Sequence, residues 1–295
     1  MVQKDRVFQV LANTLMVILA ICALAPFFLM LMSSLTDEQV LIANGYSFFP
    51  EKLSTYAYEY LFVQSGSVAR GYLISMSVTV VGTLCNLFIT LLYAYPLSRK
   101  ELPGRQIFAF YLFFTMLFSG GLVPAYLMWT QTFHIRNTVI ALLVPGLLMS
   151  PFNVIMMRTY FTTNIPDEVI DAARVDGAGE FGILFKVVFP MALPITATIG
   201  LLVGLAYWND WMYGLYYIND DKLYSIQVLL MKIQRNLDQL RQQAQNGSGN
   251  VNMADLPSTS VRMALTVMGI LPVMIIYPFL QRYFVKGITL GAVNG

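Results

Sequence analysis

The chain has 295 residues, of which 57% are hydrophobic and 12% charged, with a mean hydropathy of +0.63. A soluble domain carries about 25% charged residues, so most of this surface does not face water and the bilayer is the fitting solvent. A net charge of +2 excludes the basic footprint of a nucleic-acid-binding protein.

Two cysteines, Cys22 and Cys85, lie inside apolar runs; they form no disulfide framework or metal spacing and read as buried free thiols. One histidine, His134, makes no metal cluster and reads as a loop or interface residue.

A helix needs about 20 mostly apolar residues to cross a bilayer. Six runs meet this requirement without an Asp, Glu, Lys or Arg: Val7–Thr36, Gly71–Ser98, Gln106–Phe133, Asn137–Met157, Val187–Asn209 and Met263–Gln281. Only helices and closed barrels satisfy the backbone in hydrocarbon, and the runs lack the alternation of barrel strands. The expected fold is an all-α membrane protein, a single transmembrane domain over 1–295, with spans at about 8–32, 71–98, 106–130, 138–158, 191–214 and 261–282. The first run follows Lys4 and Arg6 but is too long for a signal peptide and ends without a small-residue cleavage site, so it reads as a retained span. Pro26, Pro124, Pro145, Pro194 and Pro272 predict kinks rather than breaks.

With the N-terminus in the cytoplasm, ten of the 18 basic residues fall inside and eight outside. The short Arg99–Arg105 hairpin and the flanks of the last two spans sharpen this bias. Both termini are then cytoplasmic. Two connections are long. In the external one, 216–260, residues Ile226, Leu229, Leu230, Ile233, Leu237 and Leu240 recur at helical spacing and predict an amphipathic helix on the outer surface. Gln242–Asn252, rich in Gln, Asn, Gly and Ser, predicts a flexible tip.

The cytoplasmic connection, 161–190, predicts a helix-turn-helix. Asn164 is placed to cap a helix that begins after Pro166, with Asp167 and Glu168 in its first turn. Val169, Ala172 and Ala173 share an apolar side, and Gly177 after Asp176 suits a left-handed stop. A second short helix with Phe181, Leu184, Phe185 and Val188 precedes Pro190. From these residues alone the loop is either a cover over helix ends or a docking element for another protein. Trp208, Asn209, Asp210 and Trp211, near the outer end of the fifth span, suit stacking on sugar rings and bonding to hydroxyls; the same place suits an interfacial aromatic belt. Tyr126 and Trp129 divide the same way, and Asn86 and Asn153 serve either helix packing or substrate.

The run Asp171, Ala172, Ala173, then Asp176, Gly177, Ala178, then Pro190 and Pro194, resembles the signature loop of permease subunits of bacterial ABC importers, the type I importer fold. Asp171 for Glu, Leu184 for an aromatic and Phe189 for Leu depart from it while keeping charge or bulk. Ser119, Gly120, Gly121, Leu122, Val123, Pro124 and Tyr126 resemble the third-span motif of oligosaccharide permeases. The Trp208–Trp211 stretch and the tail from Gln281 through Ile288 to Val293 are similar to the carbohydrate group, whose permeases pair as two different subunits.

The resemblance implies a permease subunit with no catalytic residue, metal or cofactor of its own. Its partners would be a second, non-identical permease, two ATPase subunits that carry ATP and Mg, an extracellular solute-binding protein and the lipid of the cytoplasmic membrane. It implies ATPase coupling through Asp171, Ala172, Ala173, Arg174, Asp176, Gly177, Ala178 and Pro190, and a substrate pathway that includes Asn153, Tyr126, Trp208, Asn209 and Trp211. The tail beyond Lys286 would lie against the ATPases. The chain lacks a Gly-rich phosphate loop with its Lys, which excludes it as the ATPase. The runners-up are a permease for a non-sugar solute and an ion-coupled secondary transporter; the latter needs charges at membrane depth, and the six runs hold none.

Overall fold

A computed structural model of the protein describes residues 6–63, 65–245 and 259–292. The helices in chain order are α1 (Arg6–Ser34), α2 (Glu38–Asn44), α3 (Tyr56–Val63), α4 (Ser65–Ser98), α5 (Arg105–Leu117), α6 (Leu122–Leu127), α7 (Ile140–Leu143) and α8 (Pro151–Asn164). They continue as α9 (Asp167–Val175), α10 (Glu180–Ile183), α11 (Phe189–Met191), α12 (Leu193–Trp208), α13 (Met212–Tyr217), α14 (Ile226–Gln245) and α15 (Thr259–Ala292). Among the described residues the only β pairing is an isolated antiparallel bridge between Thr36 and Leu53.

Among the described residues, three helical stretches are long and apolar enough to cross a bilayer unbroken: Val7–Ser34, Gly66–Ser98 and Thr259–Pro278. Two more are broken pairs, Arg105–Leu117 with Leu122–Thr132, bent by 111°, and Glu180–Met191 with Leu193–Trp208, bent by 82°. The apolar run 137–157 is divided too, since α7 ends at Leu143 and α8 starts at Pro151. The prolines therefore separate into two kinds. Pro26 and Pro272 sit inside continuous helices. Pro124, Pro145 and Pro194 lie at breaks, contrary to the kinks expected of them. A glycine in left-handed backbone accompanies two of these breaks: Gly121 (φ +84°), three residues before Pro124, and Gly146 (φ +80°), directly after Pro145.

The chain forms two compact units. The first unites the residues up to Val68 with Leu229–Pro272. Here α1 is apolar all round, and none of the described residues buries its most apolar stretch; such a helix needs lipid or another protein around it. The Glu38 carboxylate accepts the backbone N–H groups of Thr259 (2.9 Å) and Ser260 (2.8 Å) and the Ser260 hydroxyl (2.6 Å), which closes the start of α15. Arg262 and Asp238 form an ion pair between α15 and α14.

The second unit spans Ala69–Val228 and Val273 onward. Ala94, Val154, Met157, Phe161, Ile183, Val188 and Ile199 are fully buried in its core. Asn86 donates to the Leu147 carbonyl (2.7 Å) and accepts from Thr90 (3.2 Å), so it serves helix packing. The Tyr207 ring of α12 lies where a side chain on Gly82 of α4 would go, and its hydroxyl donates to the Leu143 carbonyl (2.8 Å).

Several sequence expectations change. In α14, Ile226, Leu230, Ile233 and Leu237 are buried within the protein, so most of the apolar stripe packs inward, with Leu240 at its end exposed. Of the expected flexible tip Gln242–Asn252, residues 242–245 form the last turn of α14, and the rest lies outside the described residues. Cys22 and Cys85 are free but exposed, not buried as expected. His134 sits in an exposed turn at φ +51°, as a loop residue. The tail continues α15 as helix to Ala292; 293–295 lie outside the described residues.

Candidate functional site

The loop between α8 and α12 is built from both ends. Asn164 is the last residue of α8, and its amide donates back to the Tyr160 carbonyl (3.3 Å). It finishes that helix and, contrary to the expectation from the sequence, does not cap the next. Pro166, extended at ψ 139°, takes the N-cap place of α9 without a side-chain bond. Proline also disfavours helical backbone at the residue before it, which separates the two helices. Asp167 and Glu168 then place negative charge at the positive end of α9.

One buried side chain anchors α9. Ile170 is 1% exposed, and Ala173 packs partly against the same core. The helix stops through two bonds characteristic of a glycine terminator: Gly177 N–H to the Arg174 carbonyl (2.9 Å) and Ala178 N–H to the Ala173 carbonyl (3.0 Å). Gly177 takes φ +82°, the left-handed turn expected of it. In the second limb Ile183, Leu184 and Val188 are buried, whereas Phe185 stacks on Phe88 at 6.3 Å and Phe181 is 72% exposed. The π-helical turn Leu184–Val188 and α11, which contains Pro190, return the chain toward α12.

A polar bracket holds the loop to the C-terminal end of α4. Arg99, 7% exposed, donates to Asp167 (3.2 Å), and Lys100 bonds the other carboxylate oxygen (3.3 Å). The Tyr95 hydroxyl donates to Glu180 (2.7 Å), Arg174 donates to the second Glu180 oxygen (3.1 Å), and the Arg99 guanidinium lies 5.6 Å from the Tyr95 ring centre. The Tyr95 hydroxyl and then Arg174 hold the Glu180 carboxyl below the usual carboxylate range, against the opposing effect of burial. Arg174 also reaches Asp171 at 3.5 Å. Behind this bracket is a mainly apolar cavity of about 530 Å³, bordered by Leu92, Pro96, Leu102, Phe181 and Leu184 with the bracket residues. On the free side, Ala172, Asp171, Asp176 and Ala178 are exposed with Val169 (38%) and Val175 (87%). The arrangement is a short wedge, fixed from behind, whose front mixes small apolar side chains with the Asp171 and Asp176 carboxylates.

The other sequence candidates are less concentrated. Trp208 is 5% exposed and stacks on Tyr72 at 6.2 Å. Tyr126 stacks on the buried Tyr217 at 5.6 Å, and Asn153 is 7% exposed. Asn209 and Trp211 are the exposed members; the Asn209 amide donates to the Leu205 carbonyl (2.9 Å), and Trp211 is 47% exposed. Asp210 accepts the N–H groups of Met212 and Tyr213 and so closes the start of α13. Sequence reasoning missed Tyr95, Arg99 and Ile170. The first two stand four residues apart across the C-terminal end of α4, a spacing that is the only local signal they carried.

Over residues 5–290 the chain matches the family described as binding-protein-dependent transport system inner membrane component. The chain belongs to this family. The permease is 34% identical, over 99% of its length and 100% of the relative's, to the polygalacturonan/rhamnogalacturonan transport system permease protein YtcP of Bacillus subtilis (strain 168). It is 33% identical to protein LplC of the same organism over 92% of this chain and 89% of that one. Its fold matches a chain in the crystal structure of a bacterial ABC transporter involved in the import of the acidic polysaccharide alginate. There the TM-score is 0.79 and the identity 30%, covering 96% of this chain and 99% of that one. The permease is accordingly a multi-pass protein of the inner membrane.

Proposed function

We propose that this permease forms half of the translocation pathway of an ATP-driven importer of carbohydrate of oligosaccharide size. The pathway is completed by a second, non-identical permease, fed by an extracellular solute-binding protein, and driven by two ATPase subunits that hold the ATP and Mg. This chain does not hydrolyse ATP. The carbohydrates in the names of its relatives support the substrate class: polygalacturonan and rhamnogalacturonan for YtcP, and melibiose, raffinose and stachyose for MelC, 27% identical over 96% of each chain.

Six crossings follow if α7 with α8, α5 with α6, and α12 make one each beside the three unbroken helices. The Arg99–Arg105 hairpin and the α9–α10 wedge then face the cytoplasm, with both termini. The observation that carries the coupling reading is the wedge itself, with Val175 and Phe181 exposed and Tyr95, Arg99 and Arg174 bracing it from behind. A braced helix transmits a push that a loose loop would absorb. In this reading Asp171, Ala172, Ala173, Asp176, Gly177 and Ala178 meet the ATPase, Arg174 stays in the bracket, and Pro190 shapes the return. Asn209 and Trp211 are the pathway candidates with surface to offer, whereas Trp208, Tyr126 and Asn153 shape its wall.

Uptake of a labelled oligosaccharide panel by proteoliposomes holding the assembled complex, with ATP inside or absent, tests the function. ATP-dependent accumulation of at least one oligosaccharide is expected. ATP-independent uptake driven by an ion gradient would overturn the proposal.

A further inference from the structure

A second cavity, of about 620 Å³, opens beside the α4–α5 hairpin and is lined by Lys100, Leu102, Gly104, Arg105, Gln106, Ile107, Ala109 and Arg158. Three of its lining residues are cationic and none is acidic. Lys100 has a counter-charge in Asp167, at 3.3 Å. Arg105 and Arg158 are both half-buried, and neither forms an ion pair among the described residues. The Arg158 guanidinium is held in place, since its Nε–H donates to the Leu97 carbonyl (3.1 Å). Partly buried charges without counter-charges are costly, so an anion at this place would be stabilising.

The surroundings say which kind of anion. From the cavity α5 presents Ile107 (73% exposed), Phe110 (66%), Phe114 (41%) and Leu117 (64%), spaced at three to four residues and therefore on one face. A free phosphate has no use for that stripe, whereas acyl chains have. Basic pockets at the cytoplasmic ends of membrane helices suit lipid phosphates.

We propose that the Lys100–Arg105–Arg158 cavity binds the phosphate of an anionic phospholipid headgroup, with the acyl chains lying along the exposed face of α5. The site rests on the orientation proposed above, which places the hairpin at the cytoplasmic leaflet. Through Lys100 it adjoins Asp167 at the start of the wedge, so a bound lipid would stiffen the support from which the wedge acts.

The test uses the assembled transporter in detergent, equilibrated with phosphatidylglycerol or phosphatidylcholine, with retained lipid counted by native mass spectrometry. Wild type is expected to retain phosphatidylglycerol in preference. Arg105→Gln and Arg158→Gln are each expected to weaken that retention about fivefold, from about one contact's worth of headgroup attraction, while Arg105→Lys keeps most of it. The mass of the intact complex shows in the same spectra that each variant assembles. Equal retention of the two lipids, or unchanged phosphatidylglycerol retention in both Gln variants, overturns the site. Displacement of phosphatidylglycerol by millimolar inorganic phosphate overturns the lipid assignment. A separate arm labels Lys100→Cys, in a chain with Cys22→Ser and Cys85→Ser, with a membrane-impermeant maleimide. Labelling only in inverted vesicles supports the orientation, and labelling from outside refutes that premise whatever the lipid counts show.

Discussion

Replacement of Gly177 isolates the shape of the wedge from every other property of the loop. The residue has φ +82°, and a Cβ built on it meets nothing within 4 Å. A side chain there would be strained by the backbone alone, without a clash inside this chain. Left-handed backbone costs an ordinary L residue about 1–2 kcal/mol, and a β-branched residue stands at the upper end because its Cβ is more crowded. At about 2 kcal/mol, Gly177→Val shifts the balance between the observed turn and its alternatives about thirtyfold. Asn tolerates this region far better, so Gly177→Asn should retain most of the native turn. The assay is ATP-dependent uptake in proteoliposomes at equal amounts of assembled complex, paired with the ATP hydrolysis rate. Gly177→Val is expected to lose most uptake, and Gly177→Asn to keep most of it. Unimpaired uptake by Gly177→Val would refute the argument. Equal failure of Asn and Val would also refute it, since that would make contact space at the partner, rather than backbone shape, the reason for glycine.

The bracket makes a pH-dependent prediction. Glu180 has a depressed pKa, so the stability it contributes is present above its ordinary value near 4.5 and is lost as pH falls through the depressed value. Tyr95→Phe removes the hydroxyl that donates to Glu180 (2.7 Å). With Glu180 56% exposed, it should destabilise the loop by about 1 kcal/mol or less. Uptake per ATP hydrolysed should fall in Tyr95→Phe, and the loss in the Tyr95→Phe/Glu180→Gln double variant should be smaller than the sum of the two single losses; additive losses would show that the pair does not act together. In the first unit, Glu38→Ala removes the acceptor of two backbone N–H groups at the start of α15. It should lower stability by about 1–2 kcal/mol, read as a drop in the thermal midpoint in detergent. Gly82→Ala forces a methyl into the Tyr207 ring and should cost about 1–3 kcal/mol by overpacking. An unchanged thermal midpoint would show that α4 and α12 are free to separate there.

Membership of the bilayer was legible in the sequence, because six uncharged apolar runs leave no other solvent and only helices satisfy their backbone there. The wedge was legible for the same kind of local reason: Gly177 stops a helix in a way that depends on its own φ and on bonds within five residues. The helix over 226–240 was also announced by its spacing, since helical periodicity is a property of the chain alone. What faces its apolar stripe is not such a property, and only the tertiary structure shows that Ile226, Leu230, Ile233 and Leu237 are buried in protein. The breaks at Pro124, Pro145 and Pro194 were hidden because a proline kinks or ends a helix according to whether neighbouring groups re-satisfy the backbone. The bracket was hidden as well: Tyr95 and Glu180 are 85 residues apart and Arg99 and Asp167 68 apart. The sequence by itself determined the solvent, the helices and the turn at Gly177, which depend on composition and short-range bonding. The tertiary structure alone decided which helices break, which faces pack inward and what holds the wedge in place, because those depend on residues that only folding brings within hydrogen-bonding distance.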